Sequence, residues 1–98
     1  MKLLEENVIL HKKYAMSWDY RLSKGALKHL KRFPKYDREQ IFRTLEDMKE
    51  NMFGGDMKPI QGEEGLYRRR IGNYRIYFRP LEEIHILDVP EIIRKQSH

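Results

Sequence analysis

Apolar and polar residues first alternate over Met16-Ser-Trp-Asp-Tyr-Arg-Leu-Ser23, where Trp18, Tyr20 and Leu22 fall on every second position. A period of two puts all three on one side of an extended chain, which predicts a half-buried first strand. The period then changes. Ala26, Leu27, Leu30 and Phe33 recur at helical spacing behind Ser23, whose hydroxyl suits an N-cap, and Pro34 stops the run. Asp37 is the expected cap of a second helix beginning near Arg38. Ile41, Phe42, Leu45 and Met48 are its apolar stripe, and Asn51 with Gly54-Gly55 marks its end. The short connection makes the two helices an antiparallel hairpin.

Residues 52–65 are polar and glycine-rich and read as a loop. Three strand-like runs follow, Leu66 to Ile71, Tyr74 to Arg79 and Ile84 to Val89; Pro80 closes the second and Glu82-Glu83 turns into the third. No stretch repeats another. The order β-α-α-β-β-β predicts an α+β domain, a two-helix hairpin packed on one face of a mainly antiparallel four-stranded sheet. Residues 1–15 precede the first strand and are expected to be an N-terminal extension to a domain spanning 16–98.

Composition narrows the chemistry. The 98 residues suit one domain, and 40% hydrophobic with 36% charged residues implies a thin core beneath a wide polar surface. The absence of cysteine removes disulfides, thiolate zinc sites and cysteine nucleophiles together. His11, His29 and His85 show no ligand spacing, so neither a metal nor another cofactor is expected. No apolar run approaches the ~20 residues of a membrane span. Glu5, Glu6 and Asn7 also interrupt the apolar start, so no signal-peptide core forms. A cytoplasmic protein without a membrane partner is the expectation.

Twenty Lys and Arg against fifteen Asp and Glu give a net charge of +5, which favours an anionic partner, although the distribution says more than the total. Lys24, Lys28, Lys31, Arg32 and Lys35 line the outer side of the first helix, as a solvated face or as an auxiliary phosphate contact.

The basic residues concentrate near Ile71-Gly-Asn-Tyr74, which joins two alternating runs as a tight hairpin does. With Gly72 and Asn73 as the loop, Ile71 faces Tyr74, Arg70 faces Arg75, Arg69 faces Ile76 and Arg68 faces Tyr77. Alternation then sorts the side chains. One face carries Arg68, Arg70, Arg75, Tyr77 and Arg79, and the other, meant for the helices, carries Tyr67, Arg69, Ile71, Tyr74, Ile76 and Phe78. Like charges directly opposite each other are destabilising. Either Asp56, Glu63, Glu64 or Asp88 folds back to neutralise them, or they hold phosphates, to which arginine offers planar bidentate donors.

Together with Ser17-Trp-Asp-Tyr-Arg-Leu-Ser-Lys-Gly-Ala26, Leu30-Lys-Arg-Phe-Pro34 and Pro59-Ile-Gln-Gly62, the segment Tyr67-Arg-Arg-Arg-Ile-Gly-Asn-Tyr-Arg-Ile-Tyr77 resembles the RelE/ParE toxins. The family's basic strand, Gly-Asp-Tyr-Arg and apolar strand appear in order, with Asn73 in the acidic position. The likeness runs from about residue 16 to 89. It implies a cognate antitoxin as partner and one of two activities: metal-independent cleavage of messenger RNA, commonly on the ribosome, or inhibition of DNA gyrase without catalysis. An inactive member that only binds antitoxin or RNA is a third alternative.

For an RNA cutter, the resemblance puts Arg68 and Arg70 on basic catalytic positions and Arg75 on the phosphate-binding arginine. It sets His98 where relatives place a tyrosine or histidine that joins the chemistry. Arginine is a poor proton acceptor with its pKa above ~12, whereas histidine titrates near neutrality, so His98 is the expected proton carrier. Tyr77, Arg79 and Arg94 are the expected RNA-binding residues, Tyr77 by stacking on a base or holding a hydroxyl.

Overall fold

The computed structural model describes residues 17–95. Within them β1 (Asp19–Leu22) passes into α1 (Lys24–Arg32) through Ser23. The Ser23 hydroxyl accepts from the Ala26 N–H at 3.0 Å, capping α1 as expected, and also donates to the Pro90 carbonyl at 2.8 Å. Its own backbone N–H donates to the Val89 carbonyl at 3.0 Å. One residue thus starts a helix and fastens that start to a distant strand.

The second helix, α2 (Lys35–Glu50), begins earlier than predicted, with Pro34 rather than Asp37 at its cap. Proline ends α1 and opens α2 because its missing N–H would lack a partner at a helix start in any case. Asp37 lies instead in the first turn, where the helix dipole favours a carboxylate, and its Oδ2 accepts from the Tyr74 hydroxyl at 2.5 Å. Ile41, Thr44, Leu45 and Met48 form the buried stripe of α2, and the Thr44 hydroxyl is satisfied by the Gln40 carbonyl at 2.9 Å. Phe42, expected in that stripe, sits about 100° round the helix from Ile41 and is 39% exposed.

The sheet has five strands, not four, in the order β1-β5-β4-β3-β2. The additional strand is β2 (Asp56–Pro59), inside the segment read as a loop, and it pairs antiparallel with β3 (Tyr67–Ile71). Its four residues carry no apolar alternation, so backbone pairing with a neighbour defines it. Next come β4 (Tyr74–Leu81) and β5 (Ile86–Arg94); β5 is antiparallel to β4 and parallel to β1. Pro80 therefore lies within β4, beyond Phe78, where the pairing with β3 ends.

The last strand begins two residues later than predicted and runs on to Arg94, leaving Ile84 in the preceding turn. Pro90 is tolerated inside it because of a bulge: Tyr77 pairs with Glu91 and Arg79 with Asp88, so Val89 and Pro90 together oppose Phe78.

Both helices lie on one face of this sheet. Ala26 and Leu30, Ile41, Leu45 and Met48, Ile76 and Phe78, and Leu87, Val89 and Ile92 meet there with no more than 1% exposure. Burying each of the larger side chains contributes ~1.5–3 kcal/mol. Trp18, Tyr20 and Leu22 pack on the edge of this core. Among the described residues no helix or strand covers the other face of the sheet, and no helix is long and apolar enough to cross a membrane.

Candidate nucleic-acid interface

The hairpin forms in the register expected from its alternation: Ile71 opposite Tyr74, Arg70 opposite Arg75, Arg69 opposite Ile76 and Arg68 opposite Tyr77. Gly72 alone of the two loop residues takes a positive φ, 57°. Tyr74, Ile76 and Phe78 are buried beneath the helices, so Arg75, Tyr77 and Arg79 turn to the open face with Arg68 and Arg70. Neighbouring strands extend the rows. Lys58, Arg68, Tyr77 and Glu91 form one line across β2 to β5, and Asp56, Arg70, Arg75 and Ile93 form the next.

Part of the charge is neutralised locally. Asp56, brought up by β2, lies 3.0 Å from Arg70 Nε and 3.8 Å from Arg68 Nη2. Glu63 approaches Arg79 at 3.9 Å, and Asp88 turns to Arg21 at 2.8 Å. Exposed pairs of this kind are worth ~0–1 kcal/mol, so a phosphate can displace them at little cost. Arg68 is more enclosed than Arg70 or Arg79, with its side chain 22% exposed and its Nε buried without a partner among the described residues. Arg75 forms no ion pair with any described carboxylate. Its Nη1 reaches only the Gly72 and Tyr74 carbonyls, at 3.4 and 3.3 Å.

Arg75 is held from below. The neighbouring Tyr74 ring is 6% exposed, lies 4.7 Å from the Phe33 ring, and anchors its hydroxyl on Asp37. Burial, and after it the bond to Asp37, holds the Tyr74 phenol above its ordinary pKa. Lys95 N–H closes the hairpin tip on the Asn73 carbonyl at 2.6 Å.

Two arginines stand apart from this face. Arg94 pairs with Tyr74 in the sheet and so points to the helix side, its guanidinium carbon 5.9 Å from the Tyr74 ring centroid. Arg69 packs over Gly55 near Asp47, Glu50 and Asn51 at the end of α2; a Cβ on Gly55, whose φ is 69°, would come within 2.6 Å of that guanidinium. The helix end gives Arg69 a structural role, since its free carbonyls attract a cation.

Arg68, Arg70, Arg75, Tyr77 and Arg79 are therefore brought together, Arg94 is not, and His98 lies outside the described residues. Sequence reasoning passed over Lys58 and Glu91 on the same face. Pro90 was the available signal for Glu91, because proline within a strand marks a bulge, and a bulge changes which side chains point outward. Among the described residues no cluster of His, Asp and Glu could hold a metal. A cleft of about 850 Å³ between the start of β1, the end of α2 and the β4–β5 turn contains no guanidinium among the described residues; its Trp18 and His85 rings stack at 5.0 Å.

The sequence and the fold are both similar to those of known toxins. The model of a family described as the ParE toxin of the type II toxin-antitoxin system parDE matches residues 20–95. A Methanocaldococcus jannaschii protein provisionally described as toxin RelE1 is 27% identical over 85 residues, which cover 84% of this chain and 94% of that protein. The fold is similar to that of the archaeal RelE-RelB complex from Pyrococcus horikoshii, with TM-score 0.73 and 16% identity, covering 84% of this chain and 99% of the other. It is equally similar to isolated E. coli RelE toxin, with TM-score 0.73 and 17% identity over 84% and 88% of the two chains. At such identities these two structures speak for a shared fold. The family match, which takes in β1 through β5 nearly whole, shows that this chain belongs to the ParE toxin family of type II toxin-antitoxin systems.

Proposed function

We propose that this toxin is a metal-independent endoribonuclease that cleaves messenger RNA on the ribosome and is held in check by a cognate antitoxin. The observation that carries the proposal is the convergence of Arg68, Arg70 and Arg75 with Tyr77 on one open face, with Arg75 unpaired among the described residues. Cleavage without a metal needs the 2′-hydroxyl deprotonated, the charge of the in-line phosphorane stabilised, and the 5′-oxygen protonated as it leaves. Arg75 is the phosphate clamp. Arg68 and Arg70 add charge from the adjacent strand once the phosphate replaces Asp56, while Arg79 extends the track and Tyr77 offers a ring or hydroxyl. His98 is the proton carrier that guanidinium groups cannot be. An antitoxin with acidic residues over this face would supply the missing negative charge in the resting complex.

The ParE family match favours one further reading, inhibition of DNA gyrase without catalysis. Primer extension on messenger RNA from cells expressing the toxin, beside a gyrase supercoiling assay with the purified chain, separates the two. Discrete new 5′ ends with unimpaired supercoiling support the nuclease. Blocked supercoiling with intact messages replaces it with the gyrase inhibitor.

A further inference from the structure

Asp56, Glu63, Asp88, Asp19 and Glu91 lie on the arginine-bearing face or at its margin, and the first four are engaged: Asp56 with Arg70, Glu63 with Arg79, Asp88 with Arg21, and Asp19 with Lys49 at 3.9 Å. The fifth, Glu91, is directly opposite Tyr77 in the ladder and has no ion pair or hydrogen bond among the described residues. Its orientation is a product of the bulge. Val89 and Ile92 are both fully buried although they are three residues apart, an odd spacing that an unbroken strand cannot satisfy. The extra residue at Pro90 absorbs the mismatch and turns Glu91 out toward Tyr77. Ser23 grips the bulge on both sides, through the Val89 and Pro90 carbonyls, so that aim is fixed by the start of α1.

Glu91 thus stands in the same row as Tyr77 and Arg68, one row from Arg70 and Arg75. The charged and titratable groups facing it are Arg75, Tyr77 and Arg79 from β4, with Asp88 and Arg21 beyond the bulge; the helices are on the other face. A carboxylate with no ion pair or hydrogen bond of its own is open to take a proton from a substrate hydroxyl.

We infer that Glu91 is the general base of the proposed cleavage, an inference that rests on the nuclease reading above. Its carboxylate takes the proton of the 2′-hydroxyl as the 2′-oxygen bonds to phosphorus. The bond from phosphorus to the 5′-oxygen then breaks, leaving a 2′,3′-cyclic phosphate. A proton from water goes to the departing 5′-oxygen. Arg75, Arg68 and Arg70 hold the phosphorane's charge and exchange no protons.

The test is single-turnover cleavage of messenger RNA on programmed ribosomes, measured against pH for wild type, Glu91→Gln and Glu91→Asp. An uncleavable RNA carrying a 2′-deoxy nucleotide at the cut site measures binding. Glu91→Gln is expected to cut ~10²-fold or more slowly, to lose the acid limb of the wild-type profile and to bind the uncleavable RNA at least as well as wild type. Glu91→Asp, one methylene shorter, should keep the limb at an intermediate rate. Wild-type rate and an unchanged limb in Glu91→Gln overturn the assignment while leaving the nuclease intact. If the wild type itself does not cut, the nuclease reading falls first.

Discussion

Replacing Tyr74 with phenylalanine removes one oxygen and tests how the Arg75 strand is held. The ring stays, and with it the contact with Phe33 and nearly all the buried area. What is lost is a 2.5 Å hydrogen bond to the Asp37 carboxylate, spanning 37 residues of sequence between the first turn of α2 and the hairpin tip. Hydrogen bonds to charged groups contribute ~1.5–3 kcal/mol, and a 6% exposed tyrosine leaves little room for water to replace the donor. Tyr74→Phe should therefore lower the unfolding free energy by ~1.5–3 kcal/mol, at roughly 4–8 °C of melting temperature per kcal/mol for a domain of this size. Urea denaturation of Tyr74→Phe, Asp37→Ala and the double variant forms a thermodynamic cycle, with an expected coupling of at least ~1 kcal/mol. A loss under ~0.5 kcal/mol with no coupling would show that the hydroxyl is served equally well without Asp37, and that the tip is held by apolar packing alone.

Alkaline pH should act through the same residue. Burial first, then Asp37, raises the pKa of Tyr74, and burial first, then Glu46, raises that of Tyr20. Both groups hold their protons more tightly folded than unfolded. Their stabilising effect is thus full below the unfolded value of ~10 and is lost as pH rises through the higher folded values. Unfolding free energies measured from pH 8 to 11 should fall above ~10 and fall less steeply in Tyr74→Phe; a flat profile in the wild type contradicts this. Arg69→Ala, on the helix side over Gly55, is expected to cost ~1 kcal/mol of stability and leave cleavage unchanged. Equal catalytic losses at Arg68, Arg69 and Arg70 would mean that the division into two faces is wrong. His98→Gln should slow cleavage ~10²-fold while RNA binding is kept, as for the loss of a general acid, and a wild-type rate would assign the leaving-group proton to water or the ribosome.

Most of the arginine face was legible in the sequence because two strong local signals agree. A period of two on both sides of Gly72-Asn73 allows one register that buries Tyr74, Ile76 and Phe78, and that register settles where Arg68, Arg70 and Arg75 point. The features that escaped are set by distant partners. Asp56–Pro59 is a strand because β3 offers its backbone, and with it comes Asp56, which neutralises Arg70. Asp37 looks like a cap by type, but Pro34 starts the helix and Tyr74, far along the chain, claims the carboxylate. Glu91 and Arg94 changed sides relative to a simple alternation because the Pro90 bulge adds a residue between Val89 and Ile92.

The central claim is that the open face carries out phosphoryl chemistry with Arg75 as its clamp, and the most direct measurement is single-turnover cleavage of ribosome-bound messenger RNA by Arg75→Ala. The side chain makes no ion pair among the described residues, so the variant should melt within ~0.5 kcal/mol of wild type, the usual range for a surface substitution. Removing one preorganised donor to the developing phosphorane should slow cleavage ~10²–10³-fold. A folded Arg75→Ala that cuts at the wild-type rate would contradict the account, because the hairpin arginine left without an ion pair among the described residues would then have no part in the reaction.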